Sequence, residues 1–147
     1  EWSATIVGDG PLRVDYERQA ADLRIDDRIA FAGACSREER VRIYRAAHVF
    51  VQTAFREYFA QELLWALASG CVGIVEYQAE SSAHELIEDH VRSFRVTDPQ
   101  ELADAIVSAG DLERRSFEAS FEAYDHQTVL ESYLEMYRRV QETHGLF

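Results

Sequence analysis

The sequence contains no lysine. All 15 of its basic residues are arginine, and against 27 acidic residues they leave a formal net charge of −12. The absence of lysine excludes lysine-based catalysis and the phosphate-binding loop that ends in Gly-Lys-Ser/Thr. The acidic excess argues against a nucleic-acid partner, whose phosphates it would repel. Both features are expected of a protein adapted to high salt, where charges are screened; a codon bias toward arginine is the alternative.

Cysteine, metal-ligand clusters and long apolar runs are also scarce. Two cysteines are too few for a disulfide framework and fit a reducing cytoplasm. The five histidines are scattered without metal-ligand spacing, so we expect no metal site. No apolar stretch approaches the ~20 residues of a membrane-spanning helix, and no signal-like segment opens the chain. We expect a cytoplasmic protein, with peripheral association at the inner membrane face as an alternative.

The sequence does contain apolar stretches rich in Val, Ile and Phe, alternating with segments of helical period. Strands are predicted over residues 3–7, 28–31, 48–52, 72–76 and 93–96. Helices are predicted over residues 11–24, 36–47, 59–69 and 82–89, and from 98 to the end with breaks near residues 110 and 125–127. This alternation predicts one doubly wound, Rossmann-like α/β domain of about five parallel strands, with helices on both faces and no internal repeat.

Several of the predicted helices carry a signal at their start. Capping pairs precede three of them: Ser36–Glu39, Ser82–Glu85 and Asp98–Glu101. Pro11 fits the first position of the first helix, where its missing N–H is not needed. The last helix carries an apolar stripe: Leu130, Tyr133, Leu134 and Tyr137.

Ligands of such sheets bind outside the carboxyl ends of the strands, where three loops are of interest. The first, Gly8-Asp9-Gly10-Pro11, lacks the third glycine of a dinucleotide fingerprint and by itself indicates only a tight turn. The second, Gly33-Ala34-Cys35, has small residues that let the backbone approach a flat ligand. A plain connecting loop is the alternative. Cys35 has no adjacent histidine, so we do not expect it to be a nucleophile.

The third loop, residues 55–60, carries the strongest signal. It leads into a helix whose first N–H groups and positive dipole end suit a phosphate or sugar oxygen. Glu57 lies beside that helix start and can accept hydrogen bonds from sugar hydroxyls; the alternative is that it only favours the helix dipole. On the helix that follows, Trp65 and Glu62 point away from the apolar arc. A ligand, a partner surface or a covering loop would explain a tryptophan there.

Four segments in order, IVGDGPLR, RIAFAG, EYFAQELLWALASG and HELIEDH, resemble the C-terminal domain of family four glycosyltransferases. These are retaining enzymes of the GT-B fold, in which two Rossmann-like domains face each other across a cleft. The resemblance covers residues 4–107, and the final helices suit the family. It implies a nucleotide-diphosphate sugar as substrate, with no metal or cofactor. It also implies a hydroxyl acceptor held by a separate N-terminal domain upstream, so that this fragment alone does not catalyse transfer.

The same resemblance assigns roles to individual residues. Glu57 matches the first of two family glutamates, which contacts the donor sugar near the reacting carbon. The donor-binding positions implied in this way are Gly8, Gly10, Gly33, Ala34, Cys35, Tyr58, Phe59, Ala60, Gln61, Glu62 and Trp65. The backbone amides of residues 59–61 match those that hold sugar or phosphate oxygens, and residues 33–35 match the loop that meets the nucleotide base.

The sequence departs from the family pattern at two of these positions. Trp65 stands where the family has its second glutamate, which holds the ribose hydroxyls, and Glu62 lies one turn earlier as a candidate replacement. Ala60 stands where the family usually has glycine. These departures favour the alternative interpretation: a degenerate, non-catalytic nucleotide-sugar-binding or scaffold module.

Overall fold

The first part of the chain forms a small α/β unit. The computed structural model describes residues 2–145, which divide into two compact units, one up to Ala46 and one from Ala47 onward. The first unit contains β1 (Ala4–Val7), α1 (Arg13–Asp22), a 3-10 helix (Asp26–Arg28), β2 (Ile29–Gly33) and α2 (Arg37–Ala46). The two strands pair in parallel, with Ala4 opposite Ile29. Both strands were predicted, but α1 begins at Arg13 and not at Pro11.

The second unit is built around a three-stranded parallel sheet. Its elements are β3 (Val49–Gln52), β4 (Arg56–Glu57), α3 (Gln61–Ala68), β5 (Val72–Glu76), β6 (Glu80–Ser81), a 3-10 helix (Ala83–Ile87), β7 (Ser93–Val96), α4 (Pro99–Gly110), a 3-10 helix (Ala119–Tyr124) and α5 (His126–His144). The strand order is β3–β5–β7, and β4 pairs separately with β6. The three predicted strands of this region are all present, and the two-residue strands β4 and β6 were not predicted.

Buried side chains cover both faces of this sheet. Along β5, side chains alternate between the faces, so that Ile74 and Val75 belong to different clusters. One cluster joins the sheet to α4: Val72, Ile74, Val96, Ala105 and Ala109. The other joins it to α3 and two 3-10 helices: Ala60, Leu63, Leu64, Leu67, Val75, Ala83, Ile87 and Phe121. A strand buried on both faces between helices is the doubly wound α/β arrangement that the sequence predicts.

Two of the three predicted capping arrangements are confirmed. The Ser36 N–H donates to the Glu39 carboxylate at 2.7 Å, and the Glu39 N–H donates to the Ser36 hydroxyl at 3.2 Å, which is a complete capping box. The Asp98 carboxylate accepts the N–H groups of Gln100 and Glu101 at 2.8 and 2.9 Å at the start of α4. Local sequence determines these helix starts because both partners lie within one turn.

The third predicted cap and two helical segments are wrong. Residues 82–89 contain a 3-10 helix, Ala83–Ile87, and no side chain caps it. The hydroxyl of Ser82 bonds instead to a backbone carbonyl far away in the sequence, that of Tyr58. Residues 111–118, between α4 and the next 3-10 helix, are not helical. A tertiary contact explains this difference: the Glu118 N–H donates to the Ala68 carbonyl at 3.2 Å, outside any helix.

The predicted break before the last helix is confirmed, and the helix is amphipathic but exposed. α5 begins after Asp125, whose carboxylate caps it through the Gln127 N–H at 2.9 Å. The side chains of its apolar stripe are all exposed: Leu130, Tyr133, Leu134 and Tyr137. Among residues 2–145, no helix combines the length and apolar character that crossing a membrane requires.

His90 makes the stability of the second unit dependent on pH. Its ring accepts or donates a hydrogen bond with the Ser93 hydroxyl at 2.8 Å and packs edge-on against Phe121. Burial lowers the pKa of His90 below its ordinary value; Arg92 and Arg115 add to this effect, and Glu118 opposes it. The unfolded chain therefore binds this proton more readily than the folded protein does. Stability is complete above the ordinary histidine pKa of about 6.5 and falls as the pH drops below it.

We expect His90→Gln to flatten this dependence. Urea unfolding at pH 7.0 and at pH 5.5 measures the difference in unfolding free energy, which should shrink in the variant. His126→Gln is the matched control, because the His126 side chain is 91% exposed. If both variants kept the difference of the unsubstituted protein, His90 would not be its source.

Candidate functional site

Glu57 lies at the carboxyl edge of the three-stranded sheet of the second unit, β3–β5–β7. β4 follows β3 after three residues, and β6 follows β5 after three. The two short strands pair in parallel, with Arg56 opposite Glu80 and Glu57 opposite Ser81. This pairing joins the loop before α3 to the loop after β5. It therefore fixes the backbone of Glu57 at the edge where ligands of such sheets bind.

Side chains around this pairing add to the connection. The Ser82 N–H donates to the Glu57 carbonyl at 2.9 Å, and the Ser82 hydroxyl donates to the Tyr58 carbonyl at 2.6 Å. Arg56 and Glu80 form an ion pair with an N–O distance of 2.6 Å. Of these three residues, Arg56 lies in the predicted loop 55–60, whereas neither Glu80 nor Ser82 was predicted as part of a site. Each makes contacts across more than 20 residues, which no local pattern reveals.

The Glu57 carboxylate is half-buried and has one weak bond. Its Oε1 accepts the N–H of Phe59 at 3.4 Å. Within residues 2–145 this is the carboxylate's only hydrogen bond or ion pair. The contact is the one expected of a glutamate that supports a helix start, the alternative considered for this residue. It also leaves most of the acceptor capacity of the carboxylate unused, since an ionised carboxylate accepts about four hydrogen bonds.

The residues leading into α3 differ in how far their side chains are exposed to solvent. Tyr58 is 89% exposed, Phe59 is half-exposed and Ala60 is buried within the core cluster of α3. No side chain caps the helix among the described residues. The Phe59 N–H faces Glu57, and the Gln61 N–H donates to the Phe59 carbonyl at 2.8 Å. Two of the three amides predicted to hold donor oxygens therefore have internal partners, so their role in ligand binding stays a prediction.

Glu62 and Trp65 lie on the least buried part of α3. Their neighbours are buried: Leu63, Leu64, Ala66 and Leu67. Glu62 and Trp65 are both half-buried. The prediction that they point away from the apolar arc agrees with this difference. The role of both residues in donor binding, and the replacement of the ribose-binding glutamate by Glu62, stay predictions.

The remaining predicted positions lie in the first unit, around the ends of β1 and β2. The Gly8 N–H donates to the Gly33 carbonyl at 2.8 Å, so the structure brings these two glycines together. Both have positive φ, +125° and +69°, which explains why glycine occurs there. Gly10 donates its N–H to the Asp9 carboxylate at 2.8 Å in a tight turn. Ala34 is exposed beside them.

Two further side chains lie near the Gly8–Gly33 contact. Cys35 is half-buried, with its Sγ 3.7 Å from the Gly33 carbonyl. Arg13, which was not predicted, donates to the Phe31 carbonyl at 3.1 Å and to Glu17 at 2.7 Å. The hydrogen bond to Glu17 raises the pKa of Arg13, although partial desolvation opposes it. The guanidinium at this end of the sheet is therefore already paired.

Titratable side chains do not form a metal centre in the part of the chain that is described. Residues 2–145 contain no group of three or more His, Cys, Asp or Glu side chains placed to hold a metal ion. Burial raises the pKa of Cys71 to about 11, so its thiol stays protonated at neutral pH.

Two comparisons with known proteins found similar sequences. The family described as "Glycosyl transferases group 1" matches residues 1–110. An alpha-monoglucosyldiacylglycerol synthase of Streptococcus pneumoniae is 31% identical over 104 residues, which make up 71% of this chain and 23% of that protein. The chain spans about a quarter of the length of this curated relative.

Proposed function

Because this chain belongs to the group 1 glycosyl transferases, we propose that it is the donor-binding part of an enzyme that transfers a sugar with retention of anomeric configuration. The donor is a nucleotide-diphosphate sugar. The acceptor is a hydroxyl group, bound by a part of the enzyme outside this chain. The match over residues 1–110 includes the first unit, the second unit as far as the end of α4, and every predicted site residue, which supports the proposal that donor binding lies in this segment.

The position of Glu57 carries this proposal. The β4–β6 pairing holds its backbone at the carboxyl edge of the sheet, and its carboxylate has one long hydrogen bond. A carboxylate with unused acceptor capacity suits the hydroxyl groups of a sugar, each of which donates one hydrogen bond. Glu57 therefore acts by orienting the donor sugar.

In the proposed reaction the acceptor hydroxyl forms a bond to the anomeric carbon as the bond from that carbon to the diphosphate breaks. The acceptor proton leaves with the departing diphosphate or to solvent. Because the configuration is retained, the acceptor oxygen must approach the anomeric carbon on the face of the sugar from which the diphosphate leaves. Catalysis comes from holding the acceptor oxygen on that face and from stabilising the charge that develops on the diphosphate. The start of α3 suits the second task, because the positive end of the helix dipole lies there.

The name of the relative suggests which sugar to test first. The streptococcal protein is a glucosyl-lipid synthase by name, and 104 residues of this chain align with it. We therefore propose glucose as the transferred sugar and UDP-glucose as the first donor to test. A lipid hydroxyl is the corresponding first acceptor.

Calorimetric titration tests donor binding directly. We expect UDP-glucose or another nucleotide-diphosphate sugar to bind the full-length protein with a Kd of about 1 mM or tighter, in the ordinary range for enzyme substrates. The titration is performed at low and at high salt because the net charge is −12. The absence of heat with UDP, GDP and their sugars at both salt concentrations would contradict donor binding.

A second candidate function is a nucleotide-sugar-binding module without catalysis. Trp65 favours it, since that residue stands where the resemblance places the ribose-binding glutamate and is half-buried on α3. Binding of UDP-glucose without any UDP release, in the presence of lipid hydroxyl acceptors, distinguishes this module from the enzyme.

A further inference from the structure

Ser82 has an unexpected set of partners. Its sequence context predicts a helix cap, yet its hydroxyl donates to the Tyr58 carbonyl at 2.6 Å and lies 3.3 Å from the Glu57 carbonyl. The Ser82 N–H donates to the same Glu57 carbonyl at 2.9 Å. One residue of the loop after β5 therefore holds two consecutive peptide groups of the loop before α3. The 3-10 helix that begins at Ala83 is left without a side-chain cap.

The second of these peptide groups connects Ser82 to the candidate sugar-binding carboxylate. The Tyr58 carbonyl and the Phe59 N–H belong to one planar unit, so fixing the oxygen also fixes the direction of the N–H. That N–H donates to Glu57 Oε1 at 3.4 Å. A hydrogen bond accepted by the carbonyl also strengthens the N–H as a donor. The orientation of the Glu57 carboxylate thus depends on the Ser82 hydroxyl through a single peptide plane.

The nearby ion pair between Arg56 and Glu80 is exposed to solvent and does not hold the backbone in this way. The side chains of Arg56 and Glu80 are 63% and 51% exposed, and their pairing lies on the surface of the β4–β6 strands. Exposed pairs of this kind contribute little to stability and restrict geometry weakly. Within the described part of the chain, the pair shares no hydrogen bond with the carboxylate of Glu57 or with the peptide group between Tyr58 and Phe59.

We propose that Ser82 is a positioning residue for Glu57 in sugar transfer. Its hydroxyl holds the peptide group between Tyr58 and Phe59 so that this group engages one carboxylate oxygen of Glu57 and leaves the other for the donor sugar. The proposal rests on the proposed function, because it assigns Glu57 to the sugar. The structural part of the proposal is that the Ser82 hydroxyl fixes the orientation of the Phe59 amide. This part can be tested without a ligand.

The experiment compares Ser82→Ala with Ser82→Thr, which keeps the hydroxyl, in the full-length protein. UDP release from UDP-glucose gives kcat and KM. We expect Ser82→Ala to lower kcat about 10-fold and to change KM less than about 2-fold, since misplacing a catalytic group by about 1 Å costs up to about 100-fold. Ser82→Thr should restore most of the rate. Ser108→Ala is the matched control, because that hydroxyl also donates to a backbone carbonyl, that of Asp104 at 2.9 Å.

A double substitution separates positioning from general damage. If Ser82 acts through Glu57, Ser82→Ala lowers kcat in the unsubstituted protein but not in a Glu57→Gln background. Equal 10-fold losses in both backgrounds, or no rescue by threonine, would overturn the proposal. A loss of thermal stability with unchanged kcat would do the same.

Hydrogen exchange at the Phe59 amide tests the structural part without a substrate. We expect this amide to exchange at least about 10-fold faster in Ser82→Ala than in Ser108→Ala. An unchanged exchange rate would overturn the proposal. Faster exchange together with normal turnover by Glu57→Gln would instead show that the geometry is right and that the assignment of Glu57 to the sugar is wrong.

Discussion

Replacing Glu57 with glutamine is expected to lower kcat/KM for UDP-glucose about 100-fold in the full-length protein. Glutamine keeps the size of the side chain but replaces a charged acceptor with a neutral amide that also donates. A hydrogen bond to a charged group contributes about 1.5–3 kcal/mol, and about 2.7 kcal/mol corresponds to a 100-fold change in rate. The loss should appear mainly in kcat if the sugar contact tightens in the transition state.

Glu80→Gln is the matched control for this substitution. Glu80 lies on the paired strand β6, opposite Arg56, and 51% of its side chain is exposed. We expect it to keep kcat/KM within about 2-fold, since an exposed ion pair contributes about 0–1 kcal/mol. Thermal unfolding of both variants checks that they are folded. Turnover by Glu57→Gln at the rate of the unsubstituted enzyme would remove Glu57 from the mechanism.

Replacing Gly70 with alanine is expected to lower the unfolding free energy by about 3 kcal/mol. Gly70 ends α3 with φ +87°, a left-handed conformation that costs a non-glycine residue about 1–2 kcal/mol. An added Cβ would lie 2.5 Å from the Arg115 carbonyl oxygen and 3.0 Å from the Phe117 nitrogen. These are backbone atoms, which cannot rotate away, and overpacking of this kind costs about 1–3 kcal/mol.

Thermal or urea unfolding measures this effect, and Gly110→Ala is its control. A loss of about 3 kcal/mol corresponds to a Tm lower by about 10 °C for a domain of this size. An added Cβ at Gly110 meets no atom within 4 Å, and its φ is not in the left-handed region, so alanine should be neutral or slightly stabilising there. Equal Tm values for the two variants would show that the backbone next to Gly70 moves aside without cost.

The parts of the fold that local patterns encode were predicted well. β5 is a continuous apolar stretch because it is buried on both faces, and such strands need no knowledge of their neighbours to be recognised. The helix starts at Ser36 and Asp98 were predicted for the same reason, since each capping side chain bonds to an amide two or three residues away.

The parts that depend on distant contacts were missed. β4 and β6 contain two residues each and exist only because Arg56 and Glu57 lie opposite Glu80 and Ser81. Ser82 fits the same local pattern as Ser36, yet its hydroxyl finds a carbonyl 24 residues away. A sequence pattern cannot rank a local partner against a distant one, because the outcome depends on which is closer in space.

For the candidate site, the sequence predicted where Glu57 lies, whereas the contact of Glu57 with a sugar stays a prediction. Glu57 was identified from its place before a helix and from the family resemblance, and the structure places its backbone at the carboxyl edge of the sheet. The internal partners of the Phe59 and Gln61 amides, at 3.4 and 2.8 Å, depend on the path of the loop and could not be inferred from residue types.

The short β4–β6 pairing also bears on the local stability of the edge that carries Glu57. Its strands are separated by α3 and β5, and the Arg56–Glu80 contact closes a segment of 24 residues. Closure of such a segment loses chain entropy that the surrounding core must first offset. β4 and β6 contain two residues each, and Arg56 and Glu80 are exposed, whereas β5 is five residues long and buried on both faces. We therefore expect the edge that carries Glu57 to open on mild heating while the interior strands are still protected, so that any activity depending on Glu57 is lost below the temperature of global unfolding.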